Sequence, residues 1–283
     1  MSPLGWLSFL LAVLLIVAFF RKGGTSMRSR AQFALALLGC GALWFATASS
    51  FAARGMNNLV IHMIGHVLVM FLVPMTFILS AAGRNLLWVL PVNFRRRVMR
   101  WFFITRRWHL PKGAIGPVFG AVVLNAVMVC AHLSSPFNFA MQHRWAMDWI
   151  MEPAFLLSGL LFFHFILTAP PRKNRGKLRL ELFMILSTML EMLVMAMAMS
   201  IFTKSAWYSS MVMNSSMPSM PGMAMTTSAA FHDQQLAAAI LWICGDFWAV
   251  PCLVLIIRRL IQRDGSLLAA LDRQTSRLST SEA

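Results

Sequence analysis

Imidazole and thioether side chains, two groups that bind transition metals, are concentrated in two parts of this sequence. His62 and His66 are four residues apart, which places them on one face of a helix. Residues 211–225, MVMNSSMPSMPGMAM, are broken by proline, glycine and serine, a composition typical of a loop. The six methionines of this run are Met211, Met213, Met217, Met220, Met223 and Met225. Thioether sulfur together with imidazole favours copper, either as Cu(I) or as copper that cycles between oxidation states.

Seven apolar segments are long enough, at about 20 residues each, to cross a bilayer as helices. Of the 283 residues, 59% are hydrophobic and only 12% are charged, whereas about a quarter of the residues in soluble domains are charged. The segments lie near 3–20, 31–51, 58–82, 116–135, 146–169, 178–203 and 233–257. We therefore predict an all-α polytopic membrane protein, with a seven-helix transmembrane domain over 1–257 and a short basic tail over 258–283.

The distribution of the 25 Lys and Arg residues predicts the orientation of these helices. Three of them, Arg54, Arg144 and Lys204, fall in loops on one side, and the other 22 fall on the opposite side. Since basic residues accumulate in cytoplasmic loops, we expect the N-terminus outside and the C-terminus in the cytoplasm. The methionine-rich segment 204–232 is then an external loop. The net charge of +16 thus indicates topology and not nucleic-acid binding, and the basic loop 93–112 is expected to lie on anionic lipid as a short amphipathic segment.

This orientation places several histidines at the outer ends of the helices. His62 and His66 would lie about 6 and 12 Å below the start of the third helix. His132 falls in the last turn of the fourth helix, and His232 begins the seventh, directly after the methionine-rich loop. We predict that these four histidines and the six methionines are ligands for copper that binds transiently. In the alternative interpretation, the histidines only anchor helices at the interface and the loop is compositionally biased without a function.

Acidic residues within the helices are possible supporting groups. Asp148 and Glu152 repeat the four-residue spacing at the outer start of the fifth helix, although both could simply pair with Arg144. Glu191 and Asp246 fall near the middle of the sixth and seventh helices, where an ionisable group is costly unless it is paired or hydrated. For these two acids, a structural pairing and a functional role are both open.

The four cysteines are single residues inside predicted helices. They are Cys40, Cys130, Cys244 and Cys252, and no CxxC pair occurs. This pattern supports neither a thiol redox motif nor a zinc knuckle. We expect thiols buried by packing, with Cys244 as the one that could reach a metal.

Three stretches resemble the CtaG family, seven-helix membrane proteins that act in cytochrome c oxidase assembly. They are HMIGHVLVMFLVP (62–74), FLLSGLLFFHFIL (155–167) and DQQLAAAILWICG (233–245), and they fall on the third, fifth and seventh predicted helices. The aromatic pair at 207–208 is similar to one that the family carries after the sixth helix. The resemblance spans about residues 35–260. The matching residues are His62, His66, Asp233, Gln234 and Trp242, of which Asp233 joins the possible supporting groups.

The resemblance implies an assembly factor for a haem–copper cytochrome c oxidase, without enzyme activity, in the bacterial plasma (inner) membrane. Together with the ligand chemistry, it predicts a protein that binds copper at the outer face and delivers it to oxidase subunits. A periplasmic copper chaperone would be a further partner. Two alternatives remain. One is a copper permease or homeostasis protein, with Glu191 and Asp246 lining a path. The other is a haem-binding electron carrier that uses His62, His66 or His132 as axial ligands.

Overall fold

Seven long helices form the computed structural model, and each is long and apolar enough to span a bilayer. The structure describes residues 2–24, 26–109, 115–167, 177–208 and 227–264. The seven helices are α1 (Pro3–Lys22), α2 (Met27–Ala48), α3 (Leu59–Leu79), α4 (Ile115–His132), α5 (Arg144–Leu167), α6 (Lys177–Ser200) and α7 (Thr227–Asp264). No strand occurs within these described ranges, so the predicted all-α class and the seven spans are confirmed. The methionine run 211–225 lies outside the described residues, as does the tail from 265 onward.

Short polar side chains and glycine set the ends of the first helices. The hydroxyls of Ser2 and Ser26 accept hydrogen bonds from backbone N–H groups in the first turns of α1 and α2, as N-caps do. Pro3 occupies the first turn of α1, where its missing N–H has no intrahelical partner to lose. The helix ends at Gly23, whose φ of 64° is the left-handed conformation that glycine adopts without strain.

Several helix ends differ from the sequence prediction by a few residues, and those of α2 and α7 matter most for the site. Helix α2 ends at Ala48 because Ser49 is extended and caps a separate short helix, Ser50–Gly55. Helix α7 begins at Thr227 and continues to Asp264, so His232 and Asp233 lie in its second turn and do not begin it. Hydropathy marks only the segment that crosses the bilayer, whereas the backbone hydrogen bonds of a helix can continue beyond that segment.

Helix α3 lies at the centre of the bundle. It packs against α2, α5 and α7, while α6 packs along α7 and α4 along α5. Of the 18 consecutive residues of α3 that are most apolar, 61% are buried, compared with 28% for the same stretch of α1. The central helix is therefore the one that carries the histidine pair.

Backbone irregularities allow α3 and α5 to approach closely. Each helix contains one π-helical turn, Leu68–Leu72 in α3 and Met147–Met151 in α5. Pro74 has no N–H to donate to the carbonyl of Met70, which breaks the regular ladder there. Gly159 of α5 packs on this carbonyl so tightly that an added Cβ would lie 2.1 Å from the oxygen. The contact fixes α5 against the half of α3 that follows the histidines.

The basic segment between α3 and α4 forms a helix, Val92–His109, where the sequence analysis gave only an amphipathic segment. The guanidinium of Arg95 lies 4.1 Å from the centroid of the Trp88 ring, a cation–π contact that joins the helix to the segment before it. Contact of this helix with lipid stays a prediction.

The prediction of buried thiols is confirmed for two of the four cysteines. Cys40 and Cys252 are buried, but Cys130 is exposed and Cys244 is partly exposed. The prediction was wrong for Cys130 because a helix that is apolar on all sides gives no sequence signal for which side faces the core.

Candidate metal centre

Three histidines come together where α3 begins and α4 ends. The ring centroids of His62 and His66 are 4.2 Å apart, and those of His66 and His132 are 6.2 Å apart. All three side chains are buried, with exposed fractions of 8%, 8% and 2%. The sequence predicted the pair on α3 from its spacing, and the structure adds His132 beside it.

Backbone groups orient two of the three imidazole rings. Nδ1 of His132 lies 2.7 Å from the carbonyl oxygen of Met128, and His62 makes a hydrogen bond with the backbone of Gly55. Because a carbonyl only accepts, Nδ1 of His132 must carry the proton, which leaves its Nε2 with a free lone pair. Metal-binding histidines commonly hold one ring nitrogen in this way and present the other to the ion.

Four ring nitrogens in this cluster are buried and have no hydrogen-bond partner among the residues that the structure describes. They are Nε2 of His62, both Nδ1 and Nε2 of His66, and Nε2 of His132. Buried polar atoms in proteins are nearly always satisfied, so a group of unsatisfied ones calls for an explanation such as a bound ion. Among hydrogen-bonding side chains, neutral imidazole is also the commonest metal ligand.

A cavity of about 50 Å³ adjoins the cluster, with His62, His66 and Glu152 in its wall. One oxygen of the Glu152 carboxyl is buried and has no hydrogen-bond partner within the described ranges. Asp148, one turn earlier, forms an ion pair with Arg144 at 3.6 Å, as the structural alternative for that acid proposed. The two acids of α5 therefore differ: Asp148 is ion-paired with Arg144, whereas Glu152 presents an oxygen without a hydrogen bond to the cavity beside the histidines.

Aromatic rings enclose the cluster on the other sides. Phe155 contacts His66 at 4.5 Å between ring centroids, and Phe137 contacts His62 at 5.3 Å. Tyr208 lies 3.9 Å from Phe137, and its hydroxyl donates to the carbonyl oxygen of His132 at 3.0 Å. Burial raises the pKa of the Tyr208 phenol, so this group keeps its proton and remains a donor.

Two residues at the start of α7 hold the neighbouring backbone in place. The carboxylate of Asp233 accepts a hydrogen bond from the N–H of Leu59 at 2.8 Å, which caps the helix that carries the histidine pair. The side chain of Gln234 accepts from the N–H of Trp207 at 2.6 Å and donates to the carbonyl of Met199 at 2.7 Å. Asp233 and Gln234 thus position the site and do not line its cavity.

Sequence analysis did not identify Gly55, Phe137 or Phe155 as parts of this site. Phenylalanine is common in the chain, so the sequence does not show which phenylalanines lie beside the histidines. Nor does any sequence pattern show that the backbone carbonyl of a particular glycine accepts a hydrogen bond from a histidine. Tyr208 did carry a signal, because it is the single tyrosine of the sequence and belongs to the aromatic pair that resembled the CtaG family.

Three predicted site residues lie away from the cluster, as does Trp242, which matched the family. His232 and Trp242 are exposed, and Asp246 is exposed on α7. Glu191 is partly buried on α6, and neither of its carboxyl oxygens has a partner within the described part of the chain. None of these four residues lines the cavity beside His62 and His66. The six methionines of the loop fall outside the described residues.

The histidines are adjacent, but they are not arranged as a finished coordination sphere. Among the described residues, no three His, Cys, Asp or Glu side chains converge closely enough to hold a metal ion as they stand. The rings must rotate for an ion to be bound, which weakens binding relative to a preorganised site and favours release. The cavity of about 50 Å³ accommodates an ion with a water molecule.

The sequence as a whole matches one protein family. Residues 10–263 match the family Caa3_CtaG, the cytochrome c oxidase caa3 assembly factors. The chain belongs to this family. No curated protein and no solved structure matches it.

Family membership confirms the resemblance found in the sequence and extends it over nearly the whole chain. This Caa3_CtaG member is a multi-pass membrane protein, and its family acts in cytochrome c oxidase assembly. The matched region covers the first span from residue 10 onward, the other six spans in full, and every residue of the histidine cluster.

Proposed function

We propose that this assembly factor binds copper at the outer face of the bacterial plasma membrane and transfers it to cytochrome c oxidase. The observation that carries the proposal is the group of buried histidine nitrogens without partners, on His62, His66 and His132. Copper is the cargo of this site, and we propose no catalytic role. Imidazole binds copper in either oxidation state, and Glu152, in the wall of the same cavity, offers a carboxyl oxygen to the ion.

The methionine run is the proposed capture element for this cargo. Tyr208, whose hydroxyl contacts the backbone of His132, precedes Met211 by three residues. Three extended residues reach at most about 11 Å, so the first methionine of the run cannot be far from the histidines. At the other end, Asp233 is bonded to the start of α3. The described residues that flank the run thus contact the helices that carry the histidines. A periplasmic copper chaperone is the proposed source of the ion.

Replacing the six methionines of residues 211–225 by leucine tests the capture step. Leucine nearly conserves volume, and such a swap costs less than about 1.5 kcal/mol even in a core. We expect the variant to remain in the membrane, to bind fewer Cu(I) ions per protein in chelator competition, and to lower oxidase activity when copper is scarce.

Added copper should restore oxidase activity in this variant, because mass action fills the histidine site without the loop. The matched control replaces Met184 and Met189 of α6 by leucine, which removes sulfur from a helix and not from the loop. Equal Cu(I) stoichiometry in the six-leucine variant and the parent would show that the loop methionines are not ligands.

The orientation of the protein is part of the same proposal, since the histidine cluster must face the compartment that supplies copper. The charge distribution motivates an external N-terminus and a cytoplasmic C-terminus. Reporters fused after Arg30, Lys112, Lys177 and Ala283 should therefore be active on the cytoplasmic side, and reporters at Gly55, Ser135 and Ser215 on the external side. An external C-terminus would place the histidine cluster in the cytoplasm and contradict capture outside the cell.

Copper import is the second candidate function, and the geometry favours it less. An import path would need acids that face the interior of the bundle, but Asp246 is exposed on the outer side of α7. Of the two predicted acids, Glu191 fits such a path better, since its carboxyl oxygens are buried and lack partners among the described residues. Copper uptake into vesicles that contain the purified protein separates the two functions, because a protein that only hands copper over at one face gives no uptake.

A further inference from the structure

One carboxylate is exposed at the middle of a membrane-spanning helix. Asp246 follows Asp233 by thirteen residues and precedes Arg258 by twelve, so it lies about 20 and 18 Å along α7 from these two charged positions. Both distances exceed half the thickness of the hydrocarbon layer, about 15 Å. Asp246 therefore lies near the centre of the bilayer.

The surroundings of Asp246 on the surface of α7 are apolar. Its neighbours on the exposed face include Ile243, Phe247 and Val250, whose exposed fractions are 60%, 81% and 56%. Within the described part of the chain, Asp246 makes no hydrogen bond or ion pair, and its side chain is exposed. Nothing in its own bundle thus offsets the cost of placing a carboxylate in hydrocarbon.

A second hydrogen-bond acceptor lies close to this carboxylate. Pro251 interrupts α7 and has no N–H to donate to the carbonyl of Phe247, four residues before it. In lipid, a backbone carbonyl that loses its partner must be satisfied by a neighbouring helix or by water. The same part of α7 therefore presents two acceptors that lack donors.

We propose that this face of α7, formed by Ile243, Asp246, Phe247 and Val250, docks against a transmembrane helix of a different protein. That helix presents a basic or hydrogen-bond-donating side chain near the middle of the membrane. Charged residues within membranes normally pair with one another or with backbone carbonyls, and a single Arg or Lys would satisfy both acceptors of α7. A second copy of this chain is a less suitable partner, because a two-fold symmetric contact centred on Asp246 would place the two Asp246 carboxylates against each other. The docking face is independent of copper binding.

Photo-crosslinking in native membranes tests the docking face. A photoreactive residue at Val250 should form a covalent product with another membrane protein, whose crosslinked peptide, identified by mass spectrometry, carries a basic or donor residue in its transmembrane segment. In the Asp246→Leu background this product should decrease at least about threefold, the change in equilibrium that an interhelical hydrogen bond of ordinary strength produces. A photoreactive residue at Leu157, which is 65% exposed on α5, is the matched control and should give a pattern unaffected by Asp246→Leu.

Four results would overturn the proposal. They are a product between two copies of this chain, crosslinks to lipid alone, a product of unchanged amount in Asp246→Leu, and a loss of the Asp246→Leu protein from the membrane. Under the proposal, Asp246 faces away from its own bundle, so leucine should replace it without loss of folded protein. Loss of the Asp246→Leu protein would instead show that the carboxylate stabilises its own bundle. Asp246→Asn, which keeps a polar group that can pair with a donor, should retain more of the product than Asp246→Leu.

Discussion

Cells whose only copy of this protein carries His62→Ala together with His66→Ala should lose cytochrome c oxidase activity. The double variant removes two of the three imidazoles in the cluster and three of its four unpartnered nitrogens. Loss of even an outer-shell partner of a metal site lowers metal affinity by about 10- to 100-fold, and loss of two ligands should exceed that. Oxidase activity in membranes, measured at limiting copper, gives the size of the effect.

The amount of the double variant in the membrane should stay close to that of the parent. These ring nitrogens make no hydrogen bonds that alanine would break, apart from that of His62 with the backbone of Gly55. Unlike the six-leucine variant, this one should not be rescued by added copper, because the site to be filled is missing. His143→Ala is the matched control, since His143 is exposed and stacks on Phe139 outside the cluster. Normal oxidase activity in the double variant at limiting copper would leave these histidines a purely structural role.

Gly159→Ala should have the largest effect on folding. An alanine Cβ at this position would lie 2.1 Å from the carbonyl oxygen of Met70 and 2.7 Å from the ring of Pro74. Backbone and a proline ring cannot rotate away, so α5 must move off α3, and overpacking of this kind costs about 1–3 kcal/mol or more. We expect a lower unfolding temperature in detergent and less folded protein in the membrane.

Gly41→Ala is the matched control for this substitution. Gly41 is also inside a membrane-spanning helix, but nothing lies within 4 Å of the position that a Cβ would occupy. Alanine has a higher helix propensity than glycine, so the control should be unchanged or slightly more stable. Equal stability of Gly159→Ala and Gly41→Ala would contradict the close contact between α5 and α3.

The sequence was sufficient to predict the seven helices and the histidine pair, because both depend on local pattern. An apolar run of about 20 residues determines a span by its length alone. A four-residue spacing places His62 and His66 on one helix face whatever surrounds them. His132 was predicted as a further ligand at the same end of the bundle, but its position beside His66 depends on how α3 and α4 pack.

The remaining features depend on which side of each apolar helix faces inward, and hydropathy does not give this. Asp246 and Glu191 have the same sequence character, yet the structure places the first on the outer surface and the second partly inside. Asp148 and Glu152 likewise have similar positions in the sequence but different surroundings in the structure. Asp148 is ion-paired with Arg144, whereas one oxygen of Glu152 lies beside the cavity without a partner among the described residues. The contact of Gly159 with Met70 joins two helices whose residues are far apart in sequence.

Copper coordination by the purified protein tests the central claim most directly. With one equivalent of Cu(I), X-ray absorption of the parent should show imidazole nitrogen bound to the metal, and chelator competition should give its affinity. In the His62→Ala, His66→Ala variant the imidazole signal should be lost and the affinity should fall by at least about 10-fold. An unchanged imidazole signal and affinity in that variant would contradict the assignment of the copper site to the histidines of α3.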